Sequence, residues 1–172
     1  NIDRPIALKV MRRDRVTSQD FVQRFLKEAR AIGKLSHPNI VSVYDAGQDR
    51  GALFIAMELL EGKSLEEIMK NKRLGPHDIV KLGIQVAEAL DYAHQQGIVH
   101  RDIKPDNVFI DVSNQLILGD FGLVYYEDDE KSRFSMTFEN VGSRDWMPGW
   151  AMGVRIDQVK PAFDVYSLGK LL

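Results

Sequence analysis

With 172 residues and a formal net charge of −2, the chain is large enough for one domain, or a large piece of one, with a sizeable core. Its charges nearly balance and no strongly basic run would follow a phosphate backbone, so nucleic acid is not an expected partner. It has no cysteine, which excludes disulfides and thiolate metal sites and makes a cytoplasmic location the default. The longest apolar run, Leu53 to Leu60, is interrupted by Glu58 and falls short of the about 20 residues a membrane-spanning helix needs. No membrane segment is expected in these residues, though an anchor outside them is left open.

Ile6 to Val10 reads as a strand, left through the charged stretch Arg12 to Arg15. Phe21, Val22, Phe25, Ala29, Ile32 and Leu35 then recur at helical spacing, with Thr17 and Asp20 as a candidate capping box and Pro38 as the downstream limit. Ile40 to Tyr44 and Leu53 to Glu58 read as two more strands, joined by the turn-rich Asp45 to Gly51. The character changes near Leu60 to Ser64, where a hinge is expected. Ser64 and Glu67 form a second capping box at the head of a short helix. Pro76 opens a longer helix whose stripe is Ile79, Val80, Gly83, Val86, Ala87 and Leu90, and Gly97 closes it. Val108 to Asp111 and Gln115 to Leu118 read as a hairpin around Val112-Ser113-Asn114. A long polar stretch without a clear period follows Gly122, and a last helical pattern begins at Phe163.

Between the long helix and the hairpin lies His100-Arg101-Asp102-Ile103-Lys104-Pro105-Asp106-Asn107, and Asp120-Phe121-Gly122 follows the hairpin directly. In order and spacing these motifs resemble the protein kinase family, and the resemblance runs along essentially the whole chain. It implies an α+β, two-lobed protein kinase fold, truncated at both ends, with residues 1–61 as a partial small lobe and 62–172 as a partial large lobe. It also implies transfer of the γ-phosphoryl of ATP, with Mg2+, to a Ser or Thr hydroxyl of a protein substrate. Asp102 matches the aspartate that orients the hydroxyl and accepts its proton. Lys104 stands where Ser/Thr kinases carry a lysine that touches the transferring phosphate. Asn107 and Asp120 match the two magnesium ligands, hard oxygen donors suited to that ion. Lys9 matches the strand lysine on the nucleotide phosphates and Glu28 its helix partner. Ala7 and Phe109 would enclose the adenine from above and below, Met57 resembles the gatekeeper, and Glu58 and Leu60 would bind the adenine edge through main-chain groups. Asp164 would anchor the catalytic-loop backbone, and Ile32, Val43, His100 and Phe121 fall where a regulatory spine would stack.

Each residue alone has a plainer reading: Lys9 as a solvated strand lysine, Glu28 as a surface helix residue, Asp164 as an N-cap, Asp-Phe-Gly as a turn. Their joint order outweighs those readings. His37, His77 and His94 are expected in structural or exposed roles, not as ligands. Glu127 to Glu130 lacks the spaced ligands of a calcium loop. Trp146 and Trp150 are expected to pack beneath the activation segment. That segment departs from the family pattern, because Pro148-Gly149-Trp150 replaces its closing alanine-proline-glutamate. The glycine-rich strand pair expected before Lys9 finds no room in the five residues that precede Ile6. The rival to an active kinase is a pseudokinase scaffold, against which the retention of Lys9, Glu28, Asp102, Asn107 and Asp120 argues. Arg101 suggests a basic pocket for a phosphorylated Thr137 or Ser135, with Ser132 less favoured.

Overall fold

The computed structural model describes residues 4–11, 13, 16, 18–71, 73–121, 144–151 and 159–172. Its first sheet has three antiparallel strands in the order β1-β3-β2, namely β1 (Ile6–Val10), β2 (Val43–Asp49) and β3 (Ala52–Glu58). Strand alternation decides which residues face the site: Ile6, Leu8 and Val10 point outward, while Ala7 and Lys9 are half-buried on the inner face. The middle strand β3 carries the buried Leu53 and Ile55, each worth about 1.5–3 kcal/mol of apolar burial.

The second strand lies later than its sequence suggests. Ile40 makes only an isolated bridge to Leu118, and the ladder runs instead from Val43 to Asp49, with an irregularity between Val43 and Asp45. The turn is correspondingly tight. Arg50 and Gly51 both take positive φ, 46° and 83°, which gives a two-residue hairpin turn whose twist matches its strands. The polar residues from Asp45 onward look turn-like in sequence but belong to a half-exposed strand.

Helix α1 (Gln19–Ile32) buries Phe21, Val22, Phe25, Ala29 and Ile32 along one stripe. Its N-cap is Ser18, whose Oγ accepts the Phe21 amide at 3.2 Å, so the cap is one residue later than the expected Thr17, which lies outside the described residues. Beyond α1 the chain is strapped to the second half of the molecule. The Ser36 amide donates to the Tyr92 hydroxyl, Asn39 Nδ2 donates to the Leu116 carbonyl at 2.7 Å, and the Val41 amide donates to the Leu118 carbonyl.

A second three-stranded sheet, β4-β5-β6, is built from β4 (Gly62–Ser64), β5 (Val108–Asp111) and β6 (Leu116–Leu118). The strand β4 was not expected. Its glycine marks it: a Cβ at Gly62 would lie 2.2 Å from the Ile110 carbonyl oxygen, so only glycine lets the two backbones approach. Gly62→Ala is therefore expected to destabilise the fold by about 1–3 kcal/mol, measured as a lower denaturant midpoint; an unchanged midpoint would mean that the strand shifts at no cost.

Ser64 and Glu67 cap α2 (Leu65–Asn71) reciprocally, the Glu67 amide donating to Ser64 Oγ at 3.2 Å and the Ser64 amide to Glu67 Oε2 at 3.0 Å. Helix α3 (Pro76–Gln95) opens on its proline and closes before Gly97, whose φ is +74°. Its buried stripe is Gly83, Val86, Ala89, Leu90 and Ala93, rotated from the expected one, so that Val80 and Ala87 are exposed. Helix α4 (Ala162–Leu171) packs on α3, and a Cβ at Gly83 would meet Leu172 at 2.9 Å. The β5–β6 hairpin turns at Asn114 (φ 62°) and is tied by Asp111, whose carboxylate accepts from the Ser113 and Gln115 amides. Trp150 packs edge-to-face on Phe163 at 6.3 Å and remains half-exposed. Among the described residues no helix is long and apolar enough to cross a membrane.

Candidate active site

The segment between α3 and β5 is fixed by one buried carboxylate. Asp164, in the first turn of α4, is fully buried; its Oδ2 accepts the His100 amide and its Oδ1 the Arg101 amide, both at 2.8 Å. These bonds hold Arg101 at φ 72°, a left-handed conformation that costs a non-glycine residue about 1–2 kcal/mol. The kink sends the Arg101 and Asp102 side chains in different directions. A third donor, His94 Nε2, reaches Asp164 Oδ2 at 2.7 Å. Sequence reasoning left His94 in a generic structural role, and nothing local could improve on that, because its partner lies 70 residues away.

His100 is buried against Phe121, ring centroids 4.4 Å apart. Its Nδ1 accepts the Asp102 amide and its Nε2 faces the Gly119 carbonyl at 2.8 Å, so the neutral ring carries its proton on Nε2. Burial pushes its pKa down, against the opposing charge of Asp164. A histidine whose folded pKa lies below its unfolded value of about 6.5 contributes stability that is complete above that value. The contribution is lost as pH falls toward the folded pKa. The unfolding midpoint is thus expected to drop below about pH 6.5, with a shallower drop in His100→Gln; identical slopes would contradict the neutral, Nε2-protonated ring.

Asp102 is buried, and both of its side-chain contacts converge on Oδ2: Lys104 Nζ at 2.7 Å and Asn107 Nδ2 at 2.8 Å. Its Oδ1 takes part in neither contact. Asn107 Nδ2 also donates to the Asp102 carbonyl at 2.8 Å, which commits the amide nitrogen inward and leaves Oδ1 outside both bonds. The Gly119 amide donates to the Asn107 carbonyl at 2.9 Å, so Asp120 is the next residue of the segment that is tied to Asn107. Asp120 itself takes φ 57°, and its Oδ1 lies 3.3 Å from Lys9 Nζ. The structure therefore gathers Asp102, Lys104 and Asn107 into one cluster and ties Lys9 to Asp120.

Lys9 and Glu28 have different partners from those expected. Glu28 Oε2 lies 3.7 Å from Arg101 Nη1, while Lys9 meets Asp120. Burial raises the Glu28 pKa, opposed first by the charge of Arg101. The helix thus presents its desolvated carboxylate to the catalytic-loop cation, and the strand lysine takes the nearer aspartate.

The nucleotide-facing candidates lie on both sheets. Ala7 pairs with Met57 across β1 and β3, and Glu58 pairs with Ile6, its amide donating to the Ser42 carbonyl. Phe109 sits between Ser64 and Ile117 on the second sheet, and Leu60 lies on the crossing between the two sheets. Gly122, Glu127 to Glu130, Ser132, Ser135 and Thr137 lie outside the described residues.

The family model for the protein kinase domain matches residues 1–172. A probable serine/threonine-protein kinase of Clostridium perfringens is 37% identical over 99% of this chain and 24% of its own length. The serine/threonine-protein kinase PknL of Mycobacterium tuberculosis is 36% identical over 99% of this chain and 42% of its own. A crystal structure of a double mutant of the Mycobacterium tuberculosis PknI kinase domain superposes with a TM-score of 0.74 at 28% identity, covering 98% of this chain and 63% of that one. The chain belongs to the protein kinase family and has its fold, with serine/threonine-protein kinases of bacteria among its relatives. It spans about a quarter of the length of the first of those curated relatives.

Proposed function

We propose that the chain is the catalytic part of a protein serine/threonine kinase, which moves the γ-phosphoryl of ATP to a Ser or Thr hydroxyl of a protein, with the cytoplasm as its place of action. The observation that carries the reading is the convergence of Lys104 and Asn107 on one oxygen of Asp102, which orients the other for a hydroxyl proton. In this role Asp102 positions the attacking oxygen and takes its proton. Lys104 stays close enough to shift from Asp102 to the phosphoryl group as charge develops there.

The donor set fits magnesium: Asn107 offers Oδ1 because its nitrogen is committed, and Asp120 offers a carboxylate on the segment that Gly119 ties to Asn107. The chemistry that magnesium supplies when bound is neutralisation of the phosphate oxygens. Lys9 would take the nucleotide phosphates once released from Asp120, with Glu28 as its orienting partner. The adenine would lie between Ala7 and Phe109, with Met57 at the back and the Glu58 and Leu60 main chain at its edge. Residues 1–61 and 62–172 are read as parts of the small and large lobes, a division supported by the second sheet's start at Gly62.

The test is an equilibrium titration with ATP, with and without magnesium. Magnesium is expected to tighten binding in the unsubstituted chain and to have little effect in Asp120→Ala. Equal magnesium dependence in both would remove Asp120 from the metal site.

A further inference from the structure

We propose that Gly119 is a specificity-determining residue of the nucleotide cleft: its missing side chain seats the ring of Phe109 as the floor on which the nucleobase lies. This role presupposes that the adenine is enclosed between Ala7 and Phe109, the reading given above. Gly119 directly precedes Asp120 and offers the site no side chain of its own.

A buried glycine is explained either by its backbone or by the space around it. Gly119 is buried, and the described glycines with positive φ are Gly51 and Gly97, so its backbone is open to any residue. Space is what requires the glycine. A Cβ at 119 would lie 3.1 Å from Cε2 and 3.6 Å from Cδ2 of the Phe109 ring, with the Asn107 carbonyl oxygen next at 3.9 Å. The first of these is closer than the about 3.5–4.0 Å at which carbon atoms pack best. The volume left empty at 119 is therefore taken by the ring of Phe109.

The main chain at 119 cannot yield in place of the ring. Its amide donates to the Asn107 carbonyl at 2.9 Å, and its carbonyl faces Nε2 of the buried His100 at 2.8 Å. The Phe109 backbone is fixed as well, in register between Ser64 and Ile117, so what gives way is its half-buried ring. A methyl at 119 thus displaces the floor by a few tenths of an ångström. The ligand chemistry this floor selects is a flat aromatic base, taken by its face, where contact energy falls steeply with a small change of separation. The effect falls on the base and not on the phosphates, whose candidate partners are other side chains, Lys9 and the metal-facing Asn107 and Asp120.

Two ligands separate base from phosphates: adenosine, which carries the base without the charge, and magnesium tripolyphosphate, which carries the charge without the base. In equilibrium titrations Gly119→Ala is expected to weaken adenosine about two- to tenfold, the range one aromatic contact supplies, and to leave tripolyphosphate unchanged. Phe109→Leu makes room for the methyl. In that background Gly119→Ala is expected to have little effect, on adenosine affinity and on the denaturant midpoint alike. The midpoint keeps the test decisive if Gly119→Ala alone does not fold: a folded double variant supports the pairing, and an unfolded one overturns it. Adenosine affinity unchanged in Gly119→Ala but weakened in Phe109→Ala would overturn the role of Gly119 and keep Phe109 as the floor. Affinity unchanged in both would overturn that role together with the placement of the base on Phe109. An equal loss of tripolyphosphate affinity would also overturn it, because the substitution would then act through Asp120.

Discussion

Asp102→Asn is expected to lower phosphoryl transfer by about 10²–10⁴-fold while leaving magnesium-ATP binding within a small factor of normal. The amide matches the carboxylate in shape and can still accept a hydrogen bond from Asn107, so the local packing of a buried residue survives. What disappears is the basic oxygen that takes the hydroxyl proton and the charge that holds Lys104 at 2.7 Å. The candidate phosphate and metal contacts, Lys9, Asn107 and Asp120, are untouched. A rate measured under saturating nucleotide separates the two effects, and turnover near the unsubstituted rate would take Asp102 out of the chemistry.

Asp164→Ala is expected to have the largest effect on stability, a loss of about 3–5 kcal/mol. The residue is fully buried and accepts from the His100 and Arg101 amides and from His94, so its removal strands three donors without water to replace it. The left-handed turn at Arg101 also loses the bonds that pay for it. Asp164→Asn is expected to be milder, because one side-chain oxygen remains to accept. Denaturant unfolding of both variants decides the matter: a loss of less than about 1 kcal/mol in the alanine variant would show that the loop is held by something else.

Where motif and periodicity coincide, the sequence was legible. The stripe of α1, the reciprocal cap of Ser64 and Glu67, and the hairpin from Val108 to Leu118 all follow from local spacing, which the tertiary structure does not override. The cluster of Asp102, Lys104 and Asn107 was legible because its members lie within six positions of the chain. Failures began where the deciding contact is remote. The strand β2 starts late because Ile40 and Val41 are claimed by Leu118, and β4 exists because a glycine meets the Ile110 backbone. His94 gained its role from Asp164, on another helix. The partners of Lys9 and Glu28 depend on where α1 sits against the catalytic loop, a matter of charge that residue identity leaves open.

The most direct test of the central claim is to incubate the protein with magnesium and ATP labelled on the γ-phosphate, together with a protein substrate, and to identify the labelled amino acids. Label is expected on serine or threonine, dependent on magnesium and absent in Asp102→Asn. Label on tyrosine, or serine and threonine label that persists undiminished in Asp102→Asn, would contradict the assignment.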